Sequence, residues 1–216
     1  MKNKQIVENV MAFFIAAEKL KTTMRHSWTS DSNRQESTAE HTWLLCLIAI
    51  TIFDELEVKI DQLKILKMLI IHDLAETIIG DIPAFDIEGR KGKKEREKAA
   101  MEQLVNNLPE KTRNEFIELF EECEAKSTPE AKIAQAIDKF EAPLQHNIAD
   151  INTWDQNDYD IHGRYKMELY EFDPFLKELR NELEHMTRKK VTKAKTLHRF
   201  RPEIQEYYKK LNDNEK

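Results

Sequence analysis

Two imidazoles and two carboxylates sit where the surrounding pattern calls for apolar residues: His41, His72, Asp73 and Asp138. His41 falls on one helical stripe with Leu45, Ile48 and Ile52, at offsets of 4, 7 and 11, so its ring should point inward. An inward imidazole needs a partner, either a hydrogen bond in the core or a metal ion. His72 and Asp73 are adjacent in the most apolar segment of the chain, where a carboxylate is costly to bury unless paired or metal-bound. On a helix, His72 shares a stripe with Ile65, Leu69 and Glu76, and Asp73 lies about 100° around, so the two side chains can straddle one cation. Glu76, one turn on, is within reach of that cation or of its ligands. The alternative is a buried His-Asp-Glu hydrogen-bond network. Asp138 lies beside Ile137 and Phe140, with Glu141 and Gln145 following on the same side; it reads equally as a ligand or as the ion-pair partner of Lys139.

Two imidazoles and two carboxylates suit Mn²⁺, Co²⁺, Fe²⁺ or Zn²⁺, with Mg²⁺ also admissible, and leave coordination positions for water and substrate. An ion held that way lowers the pKa of its water to supply hydroxide near neutral pH, and it offsets charge gathering on phosphoryl oxygens.

Helices must position these groups. The chain has 216 residues, 34% of them charged and 40% apolar, with only 4 Gly and 6 Pro, a balance that suits long solvated helices and is poor in turn residues. The expected fold is all-α, a compact single-domain helical bundle over residues 1–187, with 188–216 as a basic C-terminal extension carrying a short helix. A first amphipathic helix should direct Ile6, Val10, Phe13, Phe14 and Ala17 to the core. Thr22 to Glu36 reads as a loop from its Ser, Asn and Asp content. Ser37-Thr38-Ala39-Glu40 has the form of a capping box that opens the helix of His41. Asp61 caps a third helix expected to run unbroken to Gly80, ahead of Pro83. Further helices carry Met101 and Leu104, then Phe116 and Phe120 after Pro109. Thr128-Pro129 opens the helix of Asp138, which Pro143 should kink or whose last turns it should mark. Asp173-Pro174 separates a helix with Tyr165 and Leu169 from one with Leu176 and Leu183. The basic stretch from Arg188 to Arg201 is expected to be a solvated tail.

A net charge of -6 disfavours sequence-independent nucleic-acid binding, which needs clustered Lys and Arg. Cys46 and Cys123 make no metal motif and no disulfide framework, which fits a reducing compartment. Val10 to Ala17 is too short to span a bilayer, so no membrane association is expected and the protein is placed in the cytoplasm.

His41, then His72-Asp73, then Asp138 resemble the H…HD…D signature of the HD-domain phosphohydrolases. More narrowly, Leu20-Lys21-x-x-x-Arg25, Arg34-x-Glu36-Ser37-x-Ala39-Glu40-His41, His72-Asp73-Leu74-Ala75-Glu76, Gly80-Asp81-Ile82-Pro83 and Asp138-Lys139-x-Glu141 look like the 5'-deoxynucleotidase branch. The resemblance covers about Leu20 to Gln145. It implies a bundle of the HD-domain type that hydrolyses deoxynucleoside 5'-monophosphates with a divalent metal, often as a homodimer. On the matching positions, His41, His72, Asp73 and Asp138 would be metal ligands. Glu76 would orient or deprotonate the attacking water, or assist leaving-group protonation. Arg25 would hold the phosphate as a planar donor. Asp81 would contact sugar or ordered water, or merely bond its own turn. Some members of the branch carry an aromatic residue directly after the arginine that helps distinguish deoxyribose from ribose; His26 stands there instead, which leaves sugar preference open. Trp28, two residues on, would stack on the base or pack in the core. His146, His162, His185 and His198 have no counterpart in the signature and are expected in surface or local hydrogen-bonding roles.

Two other functions fit the same residues. An HD-type oxygenase needs extra histidines between Asp73 and Asp138, and this chain has none. A non-catalytic metal- or nucleotide-binding module would not need Glu76 and Arg25.

Overall fold

The computed structural model describes residues 2–214. Helix α1 covers Lys2–Ala17, and a hairpin of β1 (Met24–Trp28) and β2 (Gln35–Ser37) follows. Helices α2 (Thr38–Ile52), α3 (Gln62–Ile71), α4 (Glu76–Ile79), α5 (Lys93–Val105), α6 (Glu110–Ala125), α7 (Pro129–Ile148), α8 (Gln156–Ile161), α9 (Pro174–Lys193) and α10 (Pro202–Asn214) complete the chain. The fold is helical, as composition implies, and no described helix is long and apolar enough to cross a membrane.

Local chemistry sets the starts of the helices that matter. At α2 the Ser37 hydroxyl accepts from the Glu40 amide, and the Glu40 carboxylate accepts from the Ser37 amide. Asp61 caps α3 through the Lys64 amide, and Thr128 caps α7 with Pro129 in its first turn. Helices α2, α3 and α7 pack on one another around Leu45, Ala49, Ile65, Met68, Ile133 and Ile137, all essentially without solvent exposure. Helices α6 and α9 flank this trio.

Several expectations need correction. The stretch expected as a loop forms the β1–β2 hairpin, because Thr38 Oγ1 and amide both bond the Thr23 carbonyl and tie its open end to α2. The third helix does not run to Gly80. It stops at Ile71, and the amides of Leu74 and Glu76 bond carbonyls three residues back rather than four. Tyr165 and Leu169 are not in a helix of their own, since Arg164 and Lys166 adopt left-handed backbone before a short 3-10 turn at Met167–Tyr170. Helix α7 does end soon after Pro143, at Ile148, so that proline lies in its last turns as expected. In α1 only Val10, Phe13 and Ala17 pack on the core, while Ile6 and Phe14 are exposed.

The C-terminal segment is not a solvated tail. Helix α9 passes without interruption through the division expected at 187, and Val191, Phe200, Ile204 and Tyr208 pack with Trp154 and Tyr159 in a second, smaller core. Its basic residues have local work. Lys190 donates to the carbonyls of Asn147 and Ala149 at the end of α7, where the helix dipole favours a cation.

Candidate metal centre

The break after α3 shapes the site. His72 stands at the C-terminal cap of α3, and its Nδ1 donates to the Leu69 carbonyl at 2.8 Å. That bond fixes the proton on Nδ1 and leaves the Nε2 lone pair free to bind. The tightened turn brings Asp73 Oδ2 to 3.1 Å from His72 Nε2. From α2, His41 is fully buried, with Nδ1 2.5 Å from Glu141 Oε2, and its Nε2 faces the cluster. His41 Nε2 lies 3.4 Å from Asp138 Oδ1 on α7 and 3.8 Å from Asp73 Oδ2. Asp138 Oδ2 pairs with Lys139 at 2.7 Å, as one of its two readings expected, while Oδ1 is the oxygen turned to His41.

The cluster is incomplete in its own terms. His41 Nε2, His72 Nε2 and Asp73 Oδ2 are buried and have no hydrogen-bond partner among the described residues. Three such atoms converging on one point suit a divalent cation. The electrostatics agree. Burial and Arg25 oppose a charge on His41, yet Glu141 and Asp138 outweigh them and raise it to about 10, holding a proton that a bound cation would displace. Burial also opposes ionisation of Asp73, and the two histidines nevertheless hold it well below the usual carboxylate range. The pocket carries surplus negative charge that attracts any cation.

Beside the cluster opens a cavity. Arg25, Asp73, Glu76, Asp81 and Asp138 all line it. Arg25 is nearly buried, with Nη1 3.8 Å from Asp73 Oδ2 and Nε 3.6 Å from Glu36 Oε2, so its planar donor face is held in place. Glu76 accepts from the Thr38 hydroxyl at 3.0 Å, and burial together with Asp73 and Asp81 pushes its carboxyl up to about 9. A cation beside Asp73 offsets part of that field and lowers it again.

Trp28 is the one candidate the structure leaves out. It does not line the cavity, and its carbonyl accepts from Gln145 Nε2 at 2.6 Å. The aromatic wall is supplied instead by His26 and Phe85, whose rings meet edge-on at 4.8 Å. Two histidines expected in surface or local roles, His146 and His162, are buried and also face the cavity. His146 lies eight residues after Asp138 on α7, within about 80° of it around the helix, so its position carried a signal in the helical spacing.

An all-α chain that brings a histidine from one helix, a His-Asp pair from the end of a second and an aspartate from a third to one cavity has the design of an HD-domain hydrolase. The HD domain profile matches residues 17–180, and the chain belongs to that family. Its relatives include the protein named 5'-deoxynucleotidase HDDC2 of Danio rerio, 33% identical over 140 residues, 64% of this chain and 68% of that one. The human protein of that name is 33% identical over 138 residues, 63% of this chain and 66% of its own. The chain thus matches about two thirds of the length of these relatives. Among solved structures, a predicted metal-dependent phosphohydrolase from Magnetospirillum magnetotacticum superposes with a TM-score of 0.73 at 26% identity, over 85% of this chain and 96% of that one.

Proposed function

We propose that the chain hydrolyses nucleoside 5'-monophosphates, deoxynucleotides among them, to nucleoside and phosphate, using one divalent ion held by His41, His72, Asp73 and Asp138. The observation that carries this reading is the convergence of three unpartnered buried ligand atoms at the edge of a cavity that Arg25 also lines. The relatives named 5'-deoxynucleotidase support the substrate class. When bound, the ion supplies an acidified water and offsets charge on the phosphoryl oxygens.

The chain's own residues do the rest. Arg25 presents two parallel N–H donors to the phosphate and fixes its orientation. Lys139 lies alongside Asp138 and, with Lys93, adds positive charge to the cavity wall. Glu76, held by Thr38, is placed to accept a proton from the attacking water. Asp81 follows Gly80 into the cavity and contacts sugar or ordered water.

Phosphate release from a panel of 5'-nucleotides, with chelator and then with added Mn²⁺ or Co²⁺, tests the proposal. Metal-restored release is the expected result. Oxygen consumption in place of phosphate release would favour the oxygenase reading, and saturable binding without product would favour a sensing module. The homodimer implied by the resemblance belongs to the same proposal and is read from solution mass.

A further inference from the structure

Successive residues of a regular strand point to opposite sides. Arg25, His26 and Ser27 nevertheless all line the cavity, because the β1–β2 register slips between Met24 and Trp28. Irregularities of this kind re-aim side chains beside active sites.

The re-aimed His26 ring is held from several elements. Its Nε2 lies 3.2 Å from Asp158 Oδ1 and 4.0 Å from Asp155 Oδ2, both at the start of α8. Phe85 meets it edge-on, and the His146 ring of α7 lies 5.9 Å away. Asp158 is itself fixed, since it is buried and its Oδ2 accepts from the Asp155 amide at 2.8 Å. Its Oδ1 also lies 3.2 Å from His146 Nδ1, and His146 in turn lies 2.9 Å from His162 Nε2. His26 therefore has one nitrogen committed to a locked carboxylate, while its Nδ1 makes no hydrogen bond among the described residues.

We propose that His26 is the general acid of the hydrolysis, its Nδ1–H protonating the oxygen that leaves phosphorus. This rests on the phosphomonoester chemistry proposed above. In the step, the water oxygen bonds to phosphorus and the bond to the ester oxygen breaks. That bond's electron pair stays on the ester oxygen, which takes the His26 proton. A cavity carboxylate such as Glu76 takes the water's proton, and solvent reprotonates the imidazole. A sugar alkoxide is strongly basic and leaves poorly without such a donor.

The charges around the ring favour the acid form. The hydrogen bond to Asp158 outweighs burial and raises His26 above its ordinary value, and Asp155 and Asp81 act in the same direction. By contrast, burial holds His146 and His162 neutral. Of the three imidazoles on this wall, His26 alone pairs cavity access with a stabilised proton.

The test compares His26→Gln with wild type on two esters, a nucleoside 5'-monophosphate and 4-nitrophenyl phosphate, whose phenolate leaves without help. For the nucleotide, kcat should fall by about 10²- to 10⁴-fold. The loss on the nitrophenyl ester should be at least about tenfold smaller, and the alkaline limb of the nucleotide profile should disappear. Equal losses on both esters, or none on the nucleotide, would overturn the proposal. If the wild type cleaves simple alkyl phosphates but no nucleotide, the substrate reading fails and the same comparison on the alkyl ester still decides His26. A wild type inert on every ester would end both.

Discussion

Replacing Glu141 should weaken metal binding without touching a ligand. Its Oε2 sits 2.5 Å from His41 Nδ1, both side chains are without solvent exposure, and no other acceptor reaches that nitrogen among the described residues. The carboxylate thus sets the tautomer and raises the basicity of the ligating Nε2. Loss of such a partner typically costs 10- to 100-fold in metal affinity, or about 1.4–2.7 kcal/mol. Glu141→Gln retains an acceptor but removes the charge, so it belongs near the lower figure. Glu141→Ala also strands a buried N–H, adding about 1–3 kcal/mol of lost stability, which for a chain this long is a fall in Tm of roughly 2–12 °C. Calorimetric titration of chelator-stripped protein with Mn²⁺ gives Kd, and activity at saturating Mn²⁺ should recover most fully in the Gln variant. If Kd is the same in wild type and both variants, His41 is not a ligand oriented from behind and the proposed coordination fails.

Asp73→Asn should abolish both metal content and turnover, whereas Glu76→Ala should keep some metal and lose most activity; elemental analysis beside phosphate release separates the two. Gly80 has φ 76° and ψ 164°, and an added Cβ would meet nothing within 4 Å, so Gly80→Ala should cost about 1–3 kcal/mol of backbone strain alone. Its Tm should drop by several degrees, with Asp81 displaced from the cavity. His146 is lowered to about 4 by burial, so the folded state disfavours its charging. The stability linked to keeping it neutral is complete above about pH 6.5 and is lost as pH falls toward 4. Denaturant titrations should show the stability difference between wild type and His146→Gln moving by about 3 kcal/mol in the variant's favour over that window. The raised Glu36 and Glu76 slope the other way in both proteins and cancel in the difference.

His41 was legible because a capping box fixes where its helix starts, and a known start fixes which residues face inward. Asp138 was legible on the same grounds, from the Thr128-Pro129 start of α7. The hairpin was not. Its polar residues give no alternating pattern, and its order comes from the neighbouring start of α2 and from Gln145 of α7, far away in sequence. The wall made by His26, Asp158, His146 and His162 was hidden for a related reason. Asp158 reads locally as part of a helix cap, which it is, and only the fold shows its second oxygen facing two imidazoles. Whether Trp28 faces the cavity depends on the β1–β2 register, which a stretch read as a loop does not supply.

The apolar periodicity around His72 predicts a continuous helix, and the chain abandons it one residue short of the chemistry. In an unbroken helix Asp73 would sit a third of a turn from His72 and Glu76 directly above it. The change to three-residue hydrogen bonds instead lets Asp73 Oδ2 approach His72 Nε2, His41 Nε2 and Arg25 Nη1 together. Breaking the helix gives up backbone hydrogen-bond geometry, and it gathers Asp73, Asp138, Glu76 and Glu141 at low exposure beside Arg25 and Lys139. Folding alone gains nothing from that arrangement, since aliphatic side chains at these positions would pack without penalty. A cation at their meeting point changes the balance, turning the unpartnered nitrogens into donors. The broken helix and the unpartnered ligand atoms therefore share one explanation, the ion proposed above.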